Sequence, residues 1–156
     1  MLALEFFDVV VSLHVMAIVV AFGILFAYPI VLPWLRRTQP EVMPALHAAQ
    51  TRLGRMLITP AMVVALAAGI YLASDAHVWD QSWVTVPLII LIVLFGLGGA
   101  LFTPTERKLA DLARRDLAAG GEPSAEYDAL LKRYLTIEVA AAMLVLVAIF
   151  FMVAKP

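Results

Sequence analysis

Four long apolar stretches, separated by polar segments, dominate the pattern of this chain. A membrane-spanning helix needs roughly 20 mostly apolar residues, and each stretch meets or approaches that length. They cover about residues 9–35, 57–73, 83–102 and 135–153. The first of them carries no charged side chain at all. The pattern predicts an all-α fold in a single membrane domain over residues 1–156: an integral membrane bundle of four transmembrane helices with amphipathic cytoplasmic helices.

The segment between the first two stretches has a helical pattern of its own. Apolar residues recur at helical spacing after Pro40, which is typical of a helix start. The pattern predicts an amphipathic helix that leads into the second span, with Thr59-Pro60 kinking or restarting it. The predicted apolar stripe of this helix consists of Val42, Leu46, Ala49, Leu53 and Leu57.

The segment between the third and fourth stretches also predicts helix. Thr103-Pro104-Thr105-Glu106 matches a capping box and should begin a cytoplasmic helix. Gly120-Gly121 should end that helix. From about Ser124 one long helix is expected to run into the fourth span. In the second span, Ala61, Ala65 and Gly69 are four residues apart, a spacing that lets two helix backbones approach closely in lipid.

Charge placement predicts the orientation. Of the 11 Lys and Arg residues, only Lys155 lies outside the two long loops. Because cytoplasmic loops are enriched in Lys and Arg, both termini and the short second loop are predicted to lie outside the cytoplasm. Glu5 and Asp8 precede or begin the first stretch and no basic residue does, so a cleaved signal peptide is not expected. The predicted location is the bacterial inner membrane.

Composition narrows the classes of function. The chain is 63% hydrophobic, whereas soluble domains are about 45–50% apolar, so we expect the lipid bilayer to be its solvent. The absence of cysteine excludes disulfides and thiolate metal sites. Topology explains the basic loops, and no nucleic-acid partner is expected. Other membrane subunits or a homo-oligomer are the expected protein partners.

His14 is the first candidate for chemistry. It lies in the outer half of the first span, where a polar side chain is costly and suggests function. It could be a packing residue hydrogen-bonded to a neighbouring helix, an axial ligand of haem iron, a copper ligand or a proton relay. Its helical face includes Ala17, Ala21 and Tyr28, which leave room for a flat ligand or for a neighbouring helix. Met62 is a candidate soft ligand, although methionine in a span usually serves packing.

The short outer loop offers a second candidate site. Asp75, His77 and Asp80 lie within six residues and could bind a divalent cation, or they could form a solvated polar loop. His47 lies off the predicted apolar stripe and is interpreted as a surface histidine.

Glu138 stands about one turn inside the fourth span. An ion pair with Arg55 or another loop arginine, or simple snorkelling of the side chain to the membrane surface, is the favoured interpretation, and proton handling is the second.

Two segments resemble a known family. Leu13-His14 followed by Phe26 and Pro29, and then the run from Arg52 to Met62 (RLGRMLITPAM) with Gly69 further on, are similar to the membrane-bound HemJ-type protoporphyrinogen oxidases. Trp83 corresponds to the entry of that family's next helix. The similarity covers roughly the first two-thirds of the chain, and the architecture is similar to the wider CopD-like group of small bacterial membrane proteins.

The resemblance implies a helical membrane bundle and a role for His14 as a ligand of haem b. The chain departs from the family in two places. Val84-Thr85-Val86-Pro87 follows Trp83, where the family has histidine and lysine, and Ile30 replaces an arginine. We therefore expect a retained fold with altered function rather than protoporphyrinogen oxidase activity. Three hypotheses follow: a haem-binding redox protein, a non-catalytic accessory or scaffold subunit, and a protein that handles copper or another metal.

Overall fold

The computed structural model describes residues 5–156, and within them the regular structure is entirely helical. The α-helices are α1 Phe6–Phe22, α2 Tyr28–Thr38, α3 Met43–Leu53, α4 Thr59–Asp75, α5 Ser82–Leu97, α6 Thr103–Ala118 and α7 Ala125–Ala154. Short 3-10 turns occupy Gly23–Phe26 and Pro40–Val42, and π-helical turns occupy Gly54–Ile58 and Gly98–Phe102.

These junctions join the helices into four continuous rods that are long and apolar enough to cross a membrane. The rods cover Phe6–Thr38, Pro40–Asp75, Ser82–Ala118 and Ala125–Ala154. Each contains one of the predicted apolar stretches, so the predicted four-span helical architecture is confirmed. The 30 residues of α7 measure about 45 Å, which exceeds the roughly 30 Å hydrocarbon layer. The rods therefore extend past the apolar layer, and they do so where the two long basic loops lie, at what we call the basic end.

Packing divides the bundle along its length into two halves. In the membrane half, α1 packs along α4, and α5 packs along α7. In the basic-end half, α3 packs against α6, and α2 and α6 pack against α7. The core of the membrane half consists of Ala21, Phe22, Ala61, Met62, Ile90, Leu94, Ala141 and Val145. The core of the basic-end half consists of Tyr28, Leu32, Met43, Leu109, Leu112, Ala113, Tyr127, Leu131 and Tyr134.

The two π-helical turns have the same sequence pattern, Gly-x-x-x-x-Thr-Pro. The N–H of Thr59 bonds to the carbonyl of Gly54, and the N–H of Thr103 bonds to the carbonyl of Gly98, five residues back in each case. Proline has no N–H and its ring collides with the carbonyl four residues earlier. A wider turn directly before the proline relieves that collision, so each rod continues through its Thr-Pro pair.

The capping box predicted at Thr103–Glu106 is wrong. α6 does begin at Thr103, as predicted, but the residue before it, Phe102, already has helical backbone angles and no side chain caps the helix. The Thr103 hydroxyl donates to the carbonyl of Gly98 at 3.0 Å instead of capping a helix. The side chain of Glu106 is buried within the bundle.

The apolar stripe predicted on α3 coincides only in part with the buried face of the helix, since Leu46 packs against the core but the end of the stripe does not. The buried face of α3 consists of Met43, His47 and Gln50. Leu53 and Leu57 of the predicted stripe are exposed on the outside of the bundle. Near a membrane, an apolar side chain on the outside of a bundle contacts lipid, so a polar helix face can turn inward.

The predicted end of α6 and the predicted start of α7 are confirmed. Gly120 adopts a left-handed conformation with φ of +77°, and α6 ends just before it. The hydroxyl of Ser124 accepts a hydrogen bond from the N–H of Tyr127 and caps the long helix α7.

Candidate functional site

His14 lies in the seam between α1 and α4. Its Nδ1 is 2.8 Å from the carbonyl oxygen of Ala65. Because a carbonyl oxygen only accepts hydrogen bonds, Nδ1 carries the hydrogen and donates it. The contact joins the first span to the second across the membrane half of the bundle.

The small-residue stripe of α4 makes room for this imidazole. Ala65 is fully buried, and a Cβ atom added to Gly69 would stand 3.1 Å from His14 Cε1. That distance is shorter than ordinary van der Waals contact, so the absence of a side chain at Gly69 is what allows the ring to approach the helix this closely. The space beside His14 on this side is therefore filled by a neighbouring helix.

The second ring nitrogen of His14 remains chemically available. Since Nδ1 carries the hydrogen, Nε2 of the neutral ring has a free lone pair. Within residues 5–156, Glu138 Oε2 is the side-chain polar atom that is fully buried and has no hydrogen-bond partner. His14 Nε2 is therefore not a fully buried, unpartnered atom, and the half-buried ring keeps this nitrogen accessible. An imidazole held by one nitrogen on a backbone carbonyl, with the other free, is the arrangement that metal-binding histidines use.

The other predicted cofactor residues lie in different places. Met62 is buried in the core of the membrane half, about one helical turn from Ala65 on α4. Tyr28 belongs to the core of the basic-end half, beside residues such as Leu32. The structure therefore places Met62 near the His14 seam and places Tyr28 with the other half of the bundle.

The loop between α4 and α5 does not gather its polar residues into a metal-binding group. His77 has a φ of +54°, and its ring Nδ1 lies 2.9 Å from the carbonyl oxygen of Asp75. Asp75 and Asp80 are exposed. Across the described part of the chain, no three His, Cys, Asp or Glu side chains converge to hold a metal ion.

A buried polar network fills the basic-end half, and it includes a histidine that was predicted to lie on the surface. That prediction is wrong, since His47 has no exposed area. Its Nδ1 is 2.6 Å from Gln50 Oε1 and its Nε2 is 2.7 Å from the Tyr127 hydroxyl. Burial lowers the pKa of His47 to about 4, although the Gln50 hydrogen bond acts in the opposite direction. The ring is therefore neutral at neutral pH.

The network continues to a buried carboxylate. Gln50 Nε2 donates to the Tyr134 hydroxyl at 3.4 Å, and that hydroxyl donates to Glu106 Oε1 at 3.0 Å. The hydroxyl of Thr51 donates to Glu106 Oε2 at 3.2 Å. Burial raises the pKa of Glu106, while these two hydrogen bonds act in the opposite direction.

Glu138 lies beside this network and does not form the predicted ion pair. Its side chain is 1% exposed, and its Oε2 has no hydrogen-bond partner. Arg55 is exposed. The ion pairs between described residues involve Arg36, Arg114 and Arg115 with other acids, so the predicted pairing of Glu138 with a loop arginine is wrong.

The sequence does carry a signal for this network. Tyr127, Leu131, Tyr134 and Glu138 are spaced four, three and four residues apart, so they form one stripe on α7. A stripe that combines two tyrosines and a glutamate indicates a buried polar face. It becomes informative only when the facing polar residues of α3 and α6 are known.

Comparison with known proteins gives a family. Residues 8–156 match the family described as "Predicted integral membrane protein (DUF2269)", and the chain belongs to it. No curated protein and no solved structure matches the chain. The protein is thus an integral membrane protein, and its relation to the HemJ-type oxidases stays a prediction.

Proposed function

We propose that this protein binds haem b through His14 and works in redox or porphyrin-related chemistry within the membrane. One observation carries the proposal: the hydrogen bond from Nδ1 to the Ala65 carbonyl fixes the ring and leaves Nε2 as a free, basic nitrogen. The resemblance of Leu13-His14 and of the segment from Arg52 to Met62 to the HemJ-type proteins supports the same role.

The residues present fit a site with one imidazole per chain. His47 uses both ring nitrogens inside the buried network, and His77 is exposed in the outer loop. Neither is placed as a partner of His14. Met62 on α4 is the candidate for a second, thioether ligand, since it lies about one turn from Ala65.

The chain's own contribution would be orientation and environment. The Ala65 carbonyl would hold the imidazole and increase its donor strength, and Gly69 would let the ring pack closely against α4. The surrounding spans would exclude water from the bound group. When bound, haem b supplies one-electron redox chemistry, which its environment tunes.

The test is the visible absorption spectrum of the full chain purified in detergent from haem-replete cells, oxidised and then reduced with dithionite. We expect a Soret band with sharp reduced α and β bands in the wild type, and their loss in His14→Ala. His77→Ala is the matched control, because it removes an exposed imidazole and should leave the bands intact. A featureless wild-type spectrum, or bands that survive in His14→Ala, would overturn the proposal.

A second candidate function is that of a non-catalytic accessory subunit of a larger membrane complex. The close fit of His14 against Gly69 favours it, because that contact alone gives the imidazole a packing role between two helices. In that case His14→Ala should change no spectrum and should leave co-purifying membrane proteins in place. Loss of a chromophore in His14→Ala would count against this alternative.

A further inference from the structure

The hydrogen bonds of the buried network all point towards Glu106. The His47 ring is neutral and donates from Nδ1 to Gln50, so its Nε2 accepts from the Tyr127 hydroxyl. Gln50 donates to Tyr134, and Tyr134 donates to Glu106. Thr51 donates to the other oxygen of the same carboxyl group. Each oxygen of Glu106 thus accepts a hydrogen bond, which is the environment of an ionised carboxylate.

Glu138 has the opposite environment. It lies one helical turn after Tyr134 on the same face of α7, is 1% exposed and keeps Oε2 without a donor. No arginine or lysine pairs with it among the described residues. An ionised carboxylate in such surroundings would lose its hydration without compensation, which strongly disfavours the charged form. A neutral carboxylic acid avoids most of that cost.

The two acids act on each other. Glu106 on α6 accepts a hydrogen bond from the Tyr134 hydroxyl at 3.0 Å, and Glu138 follows Tyr134 by one turn on the same face of α7, so the two carboxyl groups are neighbours. Tyr134 and Tyr28, which lie in one buried cluster, are the other titratable groups there. Two neighbouring carboxyl groups with no cation between them do not both ionise, because each charge disfavours the other. The pair therefore binds one proton and carries one negative charge.

We propose that Glu106 and Glu138 form a proton-binding site between the two halves of the bundle, in which Glu138 holds the proton and Glu106 holds the negative charge. The network from Tyr127 to Glu106 determines which acid is ionised. Its donors stabilise the negative charge on Glu106, and none of them reaches Glu138 Oε2. The ligand of the site is a proton. The proposal rests on the buried acids alone and is independent of haem binding at His14.

Infrared spectroscopy of the full-length protein in detergent tests the proposal, because a protonated carboxyl group gives a C=O stretching band that a carboxylate lacks. We expect such a band at neutral pH, with a shift on transfer to D₂O. It should disappear in Glu138→Gln and remain in Glu106→Gln. Glu41→Gln is the control, since Glu41 is exposed and its removal should leave the band unchanged.

A second variant covers the case in which Glu138→Gln does not fold. Glu138→Asp keeps an acid at the site, so the band should respond to ¹³C-labelled aspartate in this variant and to ¹³C-labelled glutamate in the wild type.

Three results would overturn the proposal. The first is the absence of the band from the wild type. The second is a band lost in Glu106→Gln and kept in Glu138→Gln. The third is a band that vanishes when sodium chloride replaces choline chloride, since that would show a metal cation taking the place of the proton.

Discussion

The two halves of the bundle each hold one buried or half-buried histidine, and they hold it in different ways. His14 in the membrane half makes a single hydrogen bond, to a backbone carbonyl, and lies among small residues. His47 in the basic-end half uses both nitrogens, each with a side-chain partner, and lies among large aromatic residues. The membrane half thus leaves one nitrogen of its histidine free for a ligand, whereas the basic-end half uses both nitrogens of its histidine for its own structure.

The largest expected effect is the response of the basic-end half to acid. Burial lowers the pKa of His47 from 6.5 to about 4, so between these values the unfolded chain binds a proton that the folded chain does not. Stability should therefore fall as the pH drops from about 6.5 to about 4. A shift of this size corresponds to about 3 kcal/mol of unfolding free energy. Denaturant titration in detergent at a series of pH values measures it.

Comparing variants separates the contribution of His47 to the pH dependence from that of Glu106, whose raised pKa changes stability in the opposite direction. In His47→Gln, the fall of the unfolding free energy with acid that comes from the imidazole should be absent. His77→Ala removes an exposed imidazole and should keep the wild-type profile. Identical pH profiles for the wild type and His47→Gln would show that His47 does not titrate in this way.

The next effect tests the close packing of the membrane half. Gly69→Leu should push α1 away from α4, because even a Cβ at this position lies 3.1 Å from the His14 ring. Overpacking of this kind costs about 1–3 kcal/mol, and we expect the upper part of that range. Gly96→Leu is the matched control in another span, since a Cβ there meets nothing within 4 Å. Thermal unfolding in detergent compares the two, and equal melting temperatures would contradict the close contact at Gly69.

The smallest effects compare single hydrogen bonds in the two halves. Tyr127→Phe leaves His47 Nε2 buried without its donor, which should cost about 1–3 kcal/mol. His14→Leu removes one interhelical bond within the membrane, where such bonds average about 0.6 kcal/mol. Denaturant titration should therefore rank Tyr127→Phe as the more destabilising change. Tyr71→Phe, at an exposed position, is the control for loss of a phenol hydroxyl. If His14→Leu were instead the more destabilising change, the buried network would add little to stability.

The sequence predicted the membrane half well because lipid simplifies the pattern. A span must satisfy its own backbone and be apolar on its outside, so 18 or more apolar residues are enough to identify it. The small residues Ala61, Ala65 and Gly69 likewise identified a helix contact, and the structure places His14 on it. Whether His14 is also a ligand site depends on chemistry that neither pattern nor packing supplies.

The basic-end half was predicted poorly for a physical reason. Helical periodicity predicts that the apolar face of α3 turns inward, and that rule is valid for a helix surrounded by water. Close to a membrane the apolar Leu53 and Leu57 can stay outside, and the polar His47 and Gln50 then face the core. Their burial is possible because Tyr127 and Tyr134 of α7, about 80 residues away in sequence, supply hydrogen-bond partners. A single sequence does not reveal such distant pairing.

The two π-helical turns also determine where a residue can be deleted from the chain without loss of helix packing. Such a turn contains one residue more than the α-helical turn it replaces. Gly54–Ile58 and Gly98–Phe102 therefore behave as single-residue insertions that the rods have absorbed. Deleting one residue inside either turn and replacing the proline of its Thr-Pro pair by alanine should restore ordinary α-helix and leave the packed faces of both halves in register. The same deletion anywhere else in these rods would rotate one half by about 100° against the other.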